Sequence, residues 1–466
     1  MIALRLAELA AAVEGTVGGG PGVGDVVVRG PATVDSRDVA RDGLFVAVAG
    51  ERADGHDFVA QAIASGAAAC LVSRPVEGPH VLVEDVVEAL ARLARLVVDR
   101  LVAGGLTVIG ITGSSGKTST KDLLAQLLAE VGPTVAPPGS YNNELGVPLT
   151  ALRADRATRQ LVVEMGARGS GHIAALCAVT PPRIGVVLNV GSAHVGEFGG
   201  REATARAKAE LVQALPPAAE GGVAVLNGDD PLVAAMAGLT AARVVLTGTG
   251  GRADVRAEDV ILDGAARATF RLHVPGAAPV GVRLPLHGGH HVSNALAAAA
   301  VAVECGLPPG RVAEVLGRAR VTSRWRMEVT ERPDGVTVVN DAYNANPESV
   351  RAALEALAAM AGGRRTWAVL GEMLELGAAS TVEHEQVGTL ARRLGVDRLV
   401  VVGAGARAVH EAALAEGSVD GKGSVAVPDV AAALDLLRAE LAEGDVVLVK
   451  ASRGAGLERV AEGLLG

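Results

Sequence analysis

The sequence predicts an α/β protein of three domains, the middle one built on a parallel sheet that carries a phosphate-binding loop. Three observations predict it. The chain has 466 residues, too many for one core, and about 150 residues per domain is ordinary. From residue 104 onward, apolar runs that end in glycine or polar residues alternate with helical stretches, as in parallel strands covered on both faces. One of those runs enters "GITGSSGKTSTKDLLAQLL", a glycine-serine loop followed by a helix.

Hydrophobic residues make up 49% of the chain and mean hydropathy is +0.34, which excludes a disordered polymer. Aromatic residues are only 2%, so the cores must be built from Ala, Val and Leu. The 60 glycines follow no collagen period and read as turns and strand-to-helix loops. A net charge of −9 argues against nucleic acid as a partner, yet leaves room for a small anion held by a local basic cluster. Cys70, Cys177 and Cys305 are odd in number and far apart, which points to a reduced, cytoplasmic compartment. "MIALRLAELAAAVEG" places Arg5 and Glu8 at helical spacing among apolar residues, so it reads as an amphipathic helix and not as a secretion signal. No apolar run approaches the ~20 residues of a membrane span, so a soluble protein without membrane insertion is expected.

The first domain, residues 1–103, mixes short elements. "VVVRGPATVDSRDV", "GLFVAVAG" and "AACLVS" are strand-like, and "HDFVAQAIASG" is helical with a terminal glycine. In the second domain, residues 104–321, "LTVIGITG", "RQLVVEMG", "RIGVVLNVG", "GVAVLNGDD" and "ARVVLTGTG" are buried parallel strands. "DVRAEDVILDGAARATFRLHV" breaks the rhythm as antiparallel strands, and a helix runs through "VSNALAAAAVAVE". The third domain, residues 322–466, is a second, Rossmann-like open sheet with strands "GVTVVNDAY", "RTWAVLGEM", "DRLVVVGAGA" and "GDVVLVKASRG".

The loop departs from the strict P-loop pattern, since Ile111 stands where its first glycine belongs. What remains is still chemically specific. N–H groups of Gly113, Ser114, Ser115 and Gly116, with the helix start at Lys117, Thr118 and Ser119, point at an anion, and the Lys117 ammonium adds charge. Thr118 is placed to hold a magnesium ion on the phosphates. The bland reading, an ordinary strand-to-helix turn, fits strand, loop, Gly-Lys-Thr and helix in that order poorly.

A T-G-x-x-G-K-[ST] loop resembles the Mur ligase family, whose members form amide bonds at the expense of ATP. Further matches run along almost the whole chain: "SYNNELGVPLT", "VVEMGA", "LNVGSAHVGEFG", "ARAKAEL", "GHHVSNALAAAA", "RWRMEV" and "VVNDAYNANPES". The resemblance implies that Glu164, His194 and a carbamylated Lys208, with Thr118, organise two magnesium ions. Taken singly these are a strand-end carboxylate, a loop histidine and a helix-face lysine. Only their order after the loop favours the metal reading. Asn294 matches the asparagine that contacts adenine, Arg326 a phosphate-contacting arginine, and Asp341 a residue near the nucleotide. "VLNGDDP", with Asn227, Asp229 and Asp230, also matches, without an assigned role.

"DAYNANP", "AVLGEMLELG" and "YNNELGVPLT" resemble the branch of the family that adds D-alanyl-D-alanine, and the D-N-P-R tetrapeptide of the diaminopimelate- or lysine-adding branch is absent from the sequence. Asn142, Asn143, Tyr343, Asn344 and Asn346 are then candidate substrate contacts. "VDSRDVARDGLFVAVAGERADGHDF" resembles the UDP-sugar domain, with Asp35, Ser36 and Arg37 offered to a diphosphate or uridine, against a surface turn with an ion pair as the plain alternative. Asp54 and His56 belong to the same stretch without an assigned role. "VKASRG", with Lys450, Ser452 and Arg453, either faces the dipeptide or closes the last strand.

The resemblance thus implies a monomeric cytoplasmic ligase acting on UDP-N-acetylmuramoyl-tripeptide, ATP and D-alanyl-D-alanine to make the pentapeptide precursor of peptidoglycan. The tripeptide carboxylate would attack the γ-phosphate to give an acyl phosphate and ADP. The dipeptide amine would then displace phosphate, with Lys117 stabilising charge on the transferring group. Another ligase of the same family is the nearest alternative. A G-protein switch is disfavoured because its N-K-x-D motif is missing, and a motor would need no peptide acceptor.

Overall fold

Where both faces of a strand are covered, the apolar runs form the predicted parallel sheets. The computed structural model describes residues 1–50, 53–191, 200–416 and 423–466, which form an α/β protein of three domains. The central sheet has nine strands in the order Val280–His287, Arg267–His273, Val255–Leu262, Arg243–Gly248, Val223–Asn227, Ile184–Val187, Thr107–Thr112, Gln160–Glu164 and Thr134–Val135. Its last six strands are parallel, and the first three form an antiparallel extension. Thr107–Thr112 lies between Gln160–Glu164 and Ile184–Val187, so the chain leaves this strand at the point where strand order reverses. Ligands of open α/β sheets bind outside the carboxyl ends of strands at such points.

The N-terminal sheet has five strands, in the order Thr16–Gly18, His80–Leu82, Ala67–Val72, Gly43–Val46 and Ala32–Thr33. Its helix Val86–Val102 buries Leu90, Leu93 and Val97 in one hydrophobic cluster with Val147, Leu161 and Leu211 of the central domain. The first and second domains therefore share a core. The C-terminal sheet runs Glu328–Glu331, Thr337–Asn340, Val446–Lys450, Thr366–Leu370, Arg398–Val402 and Gly423–Val427, parallel except for its first strand. Strand Val446–Lys450 lies between Thr337–Asn340 and Thr366–Leu370, which makes a second reversal of strand order.

Local sequence accounts for the departures from expectation. The N-terminal helix covers only Leu6–Ala12, because Leu4–Arg5 pairs with Val27–Val28 as a strand. "VVVRGPATV" yields two two-residue strands instead of one run, since Gly30 and Pro31 interrupt the ladder between them. Val280–His287 and the antiparallel edge Glu328–Glu331 carry no apolar run of the buried kind and went unread. Among the described residues, no helix is long and apolar enough to cross a membrane.

With few aromatic residues, the central core depends on close approach of small side chains. Helix His291–Glu304 buries Ala295 and Ala297–Ala300 against the P-loop helix Lys117–Leu128 and the sheet. Phe270, on the antiparallel extension, is a rare large side chain in that cluster and is only 2% exposed. Phe270→Ala should destabilise the central domain by about 3–5 kcal/mol, read as a lowered thermal transition. An unshifted transition would separate the antiparallel extension from the core that carries the loop.

Candidate functional site

The glycine loop follows strand Thr107–Thr112 and ends at Gly116, whose φ of 79° is left-handed. A Cβ at Gly116 would lie 2.5 Å from Asn294 Oδ1, so only glycine lets helix His291–Glu304 approach the loop this closely. Asn189, after strand Ile184–Val187, fixes the loop from the other side. Its side-chain oxygen accepts from Ser115 N–H at 2.9 Å, its amide donates to Ser115 O at 3.2 Å, and its carbonyl accepts from Ser114 N–H at 3.1 Å. The first N–H groups of helix Lys117–Leu128 have no intrahelical acceptor, and Gly116 has no side chain to cap them. Such a helix start is built for an anion. The Lys117 ammonium folds back onto Gly113 O at 2.6 Å, across the mouth of the loop.

Thr118 is where the pieces meet. Its hydroxyl donates to Glu164 Oε2 at 2.9 Å and lies 2.7 Å from Ser140 Oγ and 3.2 Å from Arg326 Nη2. Arg326 also donates to Ser140 at 2.9 Å, and its guanidinium lies 4.2 Å from the Tyr343 ring centroid. Glu164 Oε1 accepts from Asn142 at 2.8 Å. Lys208 is 4% exposed, and its pKa is pushed down to about 7 by burial first and by the like charge of Lys117 second. Burial also lowers the Lys117 pKa, opposed by Glu164 and reinforced by Arg326. Two lysines lining one cavity are a demand for negative charge.

A cavity of about 870 Å³ opens from this junction, lined by residues of all three domains, among them Val34, Ser114, Lys117, Asn142, Lys208 and Tyr343. Asn143, Asn344 and Asn346 line it too, but each also has structural work. Asn143 Oδ1 accepts from Gly146 N–H, and Asn344 O accepts from Lys450 Nζ at 2.9 Å. Asn346 caps helix Pro347–Ala361 and donates to Ser114 O at 3.2 Å, tying the third domain to the loop. Ser119 is buried on the first helical turn.

Against Gly116, Asn294 Nδ2 is buried without a hydrogen-bond partner among the described residues, and three residues earlier on the same helix both ring nitrogens of His291 are likewise buried without one. Unsatisfied groups beside a phosphate-type loop fit a missing polar ligand. Asp341 is bound from two sides: Lys450 Nζ lies 2.5 Å from Oδ2, and Met327 N–H donates to Oδ1 at 3.1 Å. Lys450 is thus buried and paired, and it closes the last strand instead of facing the cavity.

The N-terminal candidates are placed more loosely. Asp35 and Arg37 form an exposed ion pair of 2.6 Å, one residue beyond the cavity-lining Val34, and Ser36 is buried, donating to Gln61 at 3.1 Å. Asp54 and His56 have an internal role. The Asp54 carboxylate caps the turn at His56 and lies 2.6 Å from its Nδ1, while His56 Nε2 accepts from Ser73 N–H. Asp230 accepts from Val190 N–H, and Asn227 donates to Leu188 O, so both brace the segment carrying Asn189. His194 lies outside the described residues. Among the described residues no cluster of three His, Cys, Asp or Glu side chains forms. Sequence reasoning missed Asn189 and Ser140. Asn189 precedes no glycine-lysine signal, and Ser140 is an ordinary loop serine until the fold sets it beside Thr118.

Three parts of the chain match parts of one family: residues 32–97 the Mur ligase catalytic domain, 111–302 the Mur ligase middle domain, and 325–453 the Mur ligase glutamate ligase domain. The chain is 52% identical to a UDP-N-acetylmuramoyl-tripeptide–D-alanyl-D-alanine ligase of Mycobacterium tuberculosis, covering 100% of this chain and 98% of that protein. It is 34% identical to the enzyme of the same name from Bacillus subtilis, covering 100% and 99%. A crystal structure of MurF from Acinetobacter baumannii superposes with a TM-score of 0.85 at 31% identity over 99% of both chains. MurF from Thermotoga maritima in complex with ADP does so with 0.78 at 32% identity, over 93% of this chain and 97% of that one.

Gly116→Ala tests the geometry directly. The added methyl must displace Asn294, and the residue must hold a left-handed φ, together costing on the order of 1–3 kcal/mol. A lowered thermal transition is expected, and wild-type stability would mean that the loop and helix are not packed as described.

Proposed function

The chain belongs to the Mur ligase family, and from that membership we propose that it is the ATP-dependent ligase adding D-alanyl-D-alanine to UDP-N-acetylmuramoyl-tripeptide. One observation carries the reading beyond resemblance. The Thr118 hydroxyl brings the P-loop helix, the carboxylate of Glu164 and the third domain's Arg326 to one point directly behind Ser140, Asn142 and Tyr343, which line a cavity shared by all three domains. A hydrolase acting on the nucleotide alone needs no such meeting. A ligase joining two peptides does.

In this reading ATP lies with its adenine toward Asn294 and its phosphates over the loop 113–116, where backbone N–H groups and Lys117 hold them. Arg326, its guanidinium over the Tyr343 ring, would aim its donors at the same phosphates. The UDP-sugar end of the first substrate reaches Asp35–Arg37 at the edge of the cavity. Its peptide carboxylate extends past Asn142 toward Lys117. The dipeptide enters from the third domain beside Tyr343 and Asn344. The carboxylate displaces ADP at the γ-phosphorus, and the dipeptide amine then displaces phosphate from the acyl carbon, forming the amide. Walls from three domains exclude the water that would hydrolyse the acyl phosphate.

Magnesium fits the donor set, since Thr118, Glu164 and a carbamate on Lys208 are hard oxygen ligands. Bound there, it would neutralise phosphate charge and hold nucleotide and carboxylate together. Lys208 suits the modification because burial and the charge of Lys117 lower its pKa to about 7, which favours the neutral amine that reacts with carbon dioxide. The carbamate also replaces a second ammonium beside Lys117 with an anion.

Phosphate release from ATP should require both the UDP-linked muramoyl-tripeptide and D-alanyl-D-alanine, and free D-alanine should substitute poorly. Equal release with ATP alone would end the ligase reading. Separately, protein equilibrated with ¹³C-bicarbonate should show a carbamate carbon signal that disappears in Lys208→Arg. That variant should also lose nearly all ligation. A fully active Lys208→Arg, or a wild-type protein without the signal, would remove the carbamate.

A further inference from the structure

The segment joining the second and third domains lies along the P-loop helix, held at every turn. Past the end of the helix, Glu130 takes the guanidinium of Arg318 at 2.6 Å. One turn back, the Gln126 amide pairs with the backbone of Arg320 in both directions, donating to its carbonyl at 2.7 Å and accepting from its N–H at 3.0 Å. Another turn back, the Asp122 carboxylate accepts from Thr322 N–H at 3.0 Å, Ser323 N–H at 2.8 Å and the Ser323 hydroxyl at 3.1 Å. Lys121 lies 2.5 Å from the same carboxylate and also donates to Pro137 O and Ser323 Oγ. Asp122 and Lys121 are both buried. At the first turn the segment ends on Thr118, through Arg326.

Positions 118, 122, 126 and 130 recur every four residues, so they form one stripe along the helix. The connecting segment descends that stripe toward the phosphate end. Trp325 and Met327, on either side of Arg326, have φ of 59° and 49°, left-handed values that non-glycine residues keep only when their surroundings impose them. The far side is anchored as well, since Met327 N–H donates to Asp341 and Tyr343 N–H to Trp325 O.

We propose that Asp122 and Gln126 are positioning residues that set Arg326 over the phosphate site by holding residues 318–326 in register along the P-loop helix. This rests on the ligase reading for the role of Arg326, though the mechanical claim stands on the contacts themselves. The helix whose N-terminus receives the phosphates also fixes, through its side, the residue that the third domain brings to them. A slip of the strap by one residue would carry the guanidinium away from Thr118 and Ser140 without unfolding either domain.

A double-mutant cycle on the full-length protein tests it. Asp122→Ala should lower kcat about tenfold or more while KM for the UDP-substrate stays within about twofold, the pattern of an interaction used in the chemical step. Asp122→Asn, which keeps a carbonyl for the strap N–H groups, should recover much of that loss. Combined with Arg326→Ala, Asp122→Ala should add little to the loss that Arg326→Ala causes alone, because both remove the same interaction. Trp325 gives a readout independent of turnover: acrylamide should quench it more in Asp122→Ala than in wild type, whereas the fully buried Trp367 stays protected. If Asp122→Ala fails to fold, Gln126→Ala on the half-exposed turn carries the same cycle. Multiplicative losses with Arg326→Ala, or unchanged turnover together with unchanged Trp325 quenching, would overturn the proposal. Should the wild type lack dipeptide-dependent phosphate release, the ligase reading fails on its own, and Trp325 quenching still decides whether the strap is held.

Discussion

The helix Lys117–Leu128 is covered on almost every side, and the rest of the site is arranged around that constraint. Leu123, Leu124 and Leu127 face the central core, Thr118 faces Glu164, and Asp122 with Gln126 faces the inter-domain segment. A helix in this position cannot show a simple amphipathic pattern, because its polar side is as fully engaged as its apolar one. Its N-terminal N–H groups remain to be satisfied. Gly116, left-handed and pressed against Asn294, leaves them open by providing no side-chain cap. The anion site is what remains when every other surface of the helix has been used.

Charge sets the second constraint. Lys117 and Lys208 line one cavity, and burial is the largest influence depressing the pKa of each. Charged groups leave water only when opposed by partners or when they give up the charge. Lys117 keeps Glu164 as a nearby counter-charge and gains more when phosphates arrive. For Lys208, the carbamate proposed above would resolve the conflict by converting the ammonium to an anion. It would also turn a like-charge clash with Lys117 into an additional oxygen donor lining the cavity. Asp341 and Lys450 show the opposite solution: both are buried, but as a direct pair, and the pair is spent on shaping the loop 341–346.

Much of this was legible in the sequence, for definable reasons. Parallel strands declared themselves as apolar runs ending in glycine, and the loop as Gly-Lys-Thr between strand and helix. The short N-terminal strands and the edge Glu328–Glu331 were obscure because a two- or four-residue strand exposed on one side has no run to detect. Candidates carrying distinctive chemistry, such as Glu164 and Lys208, stood out through their order along the chain. Asn189 and Ser140 were not, since an amide and a hydroxyl in loops gain meaning only from what lies opposite. Asp122 was invisible for a related reason. A charged residue on a helix normally signals a solvated face, and nothing local announces that residues 200 positions later will cover it. His56 illustrates the converse, a motif residue whose ring is consumed in holding Asp54 and Ser73 together.

Both parallel sheets turn their reversal of strand order toward one cavity, and this explains why three domains are needed where one could bind a nucleotide. The crevice beside Thr107–Thr112 carries the phosphate loop, and the crevice at the end of Val446–Lys450 carries the loop from Asp341 to Asn346. Each sheet is rigid, so the distance between the two crevices depends on the connections between domains. The first domain is joined to the second through a continuous hydrophobic core. The third meets the second through hydrogen bonds at Asn346 with Ser114, at Arg326 with Thr118 and along the strap, and through Ala266, which is buried in the third domain's core. Directional contacts of this kind specify one docked arrangement, although each is individually worth only about 1 kcal/mol.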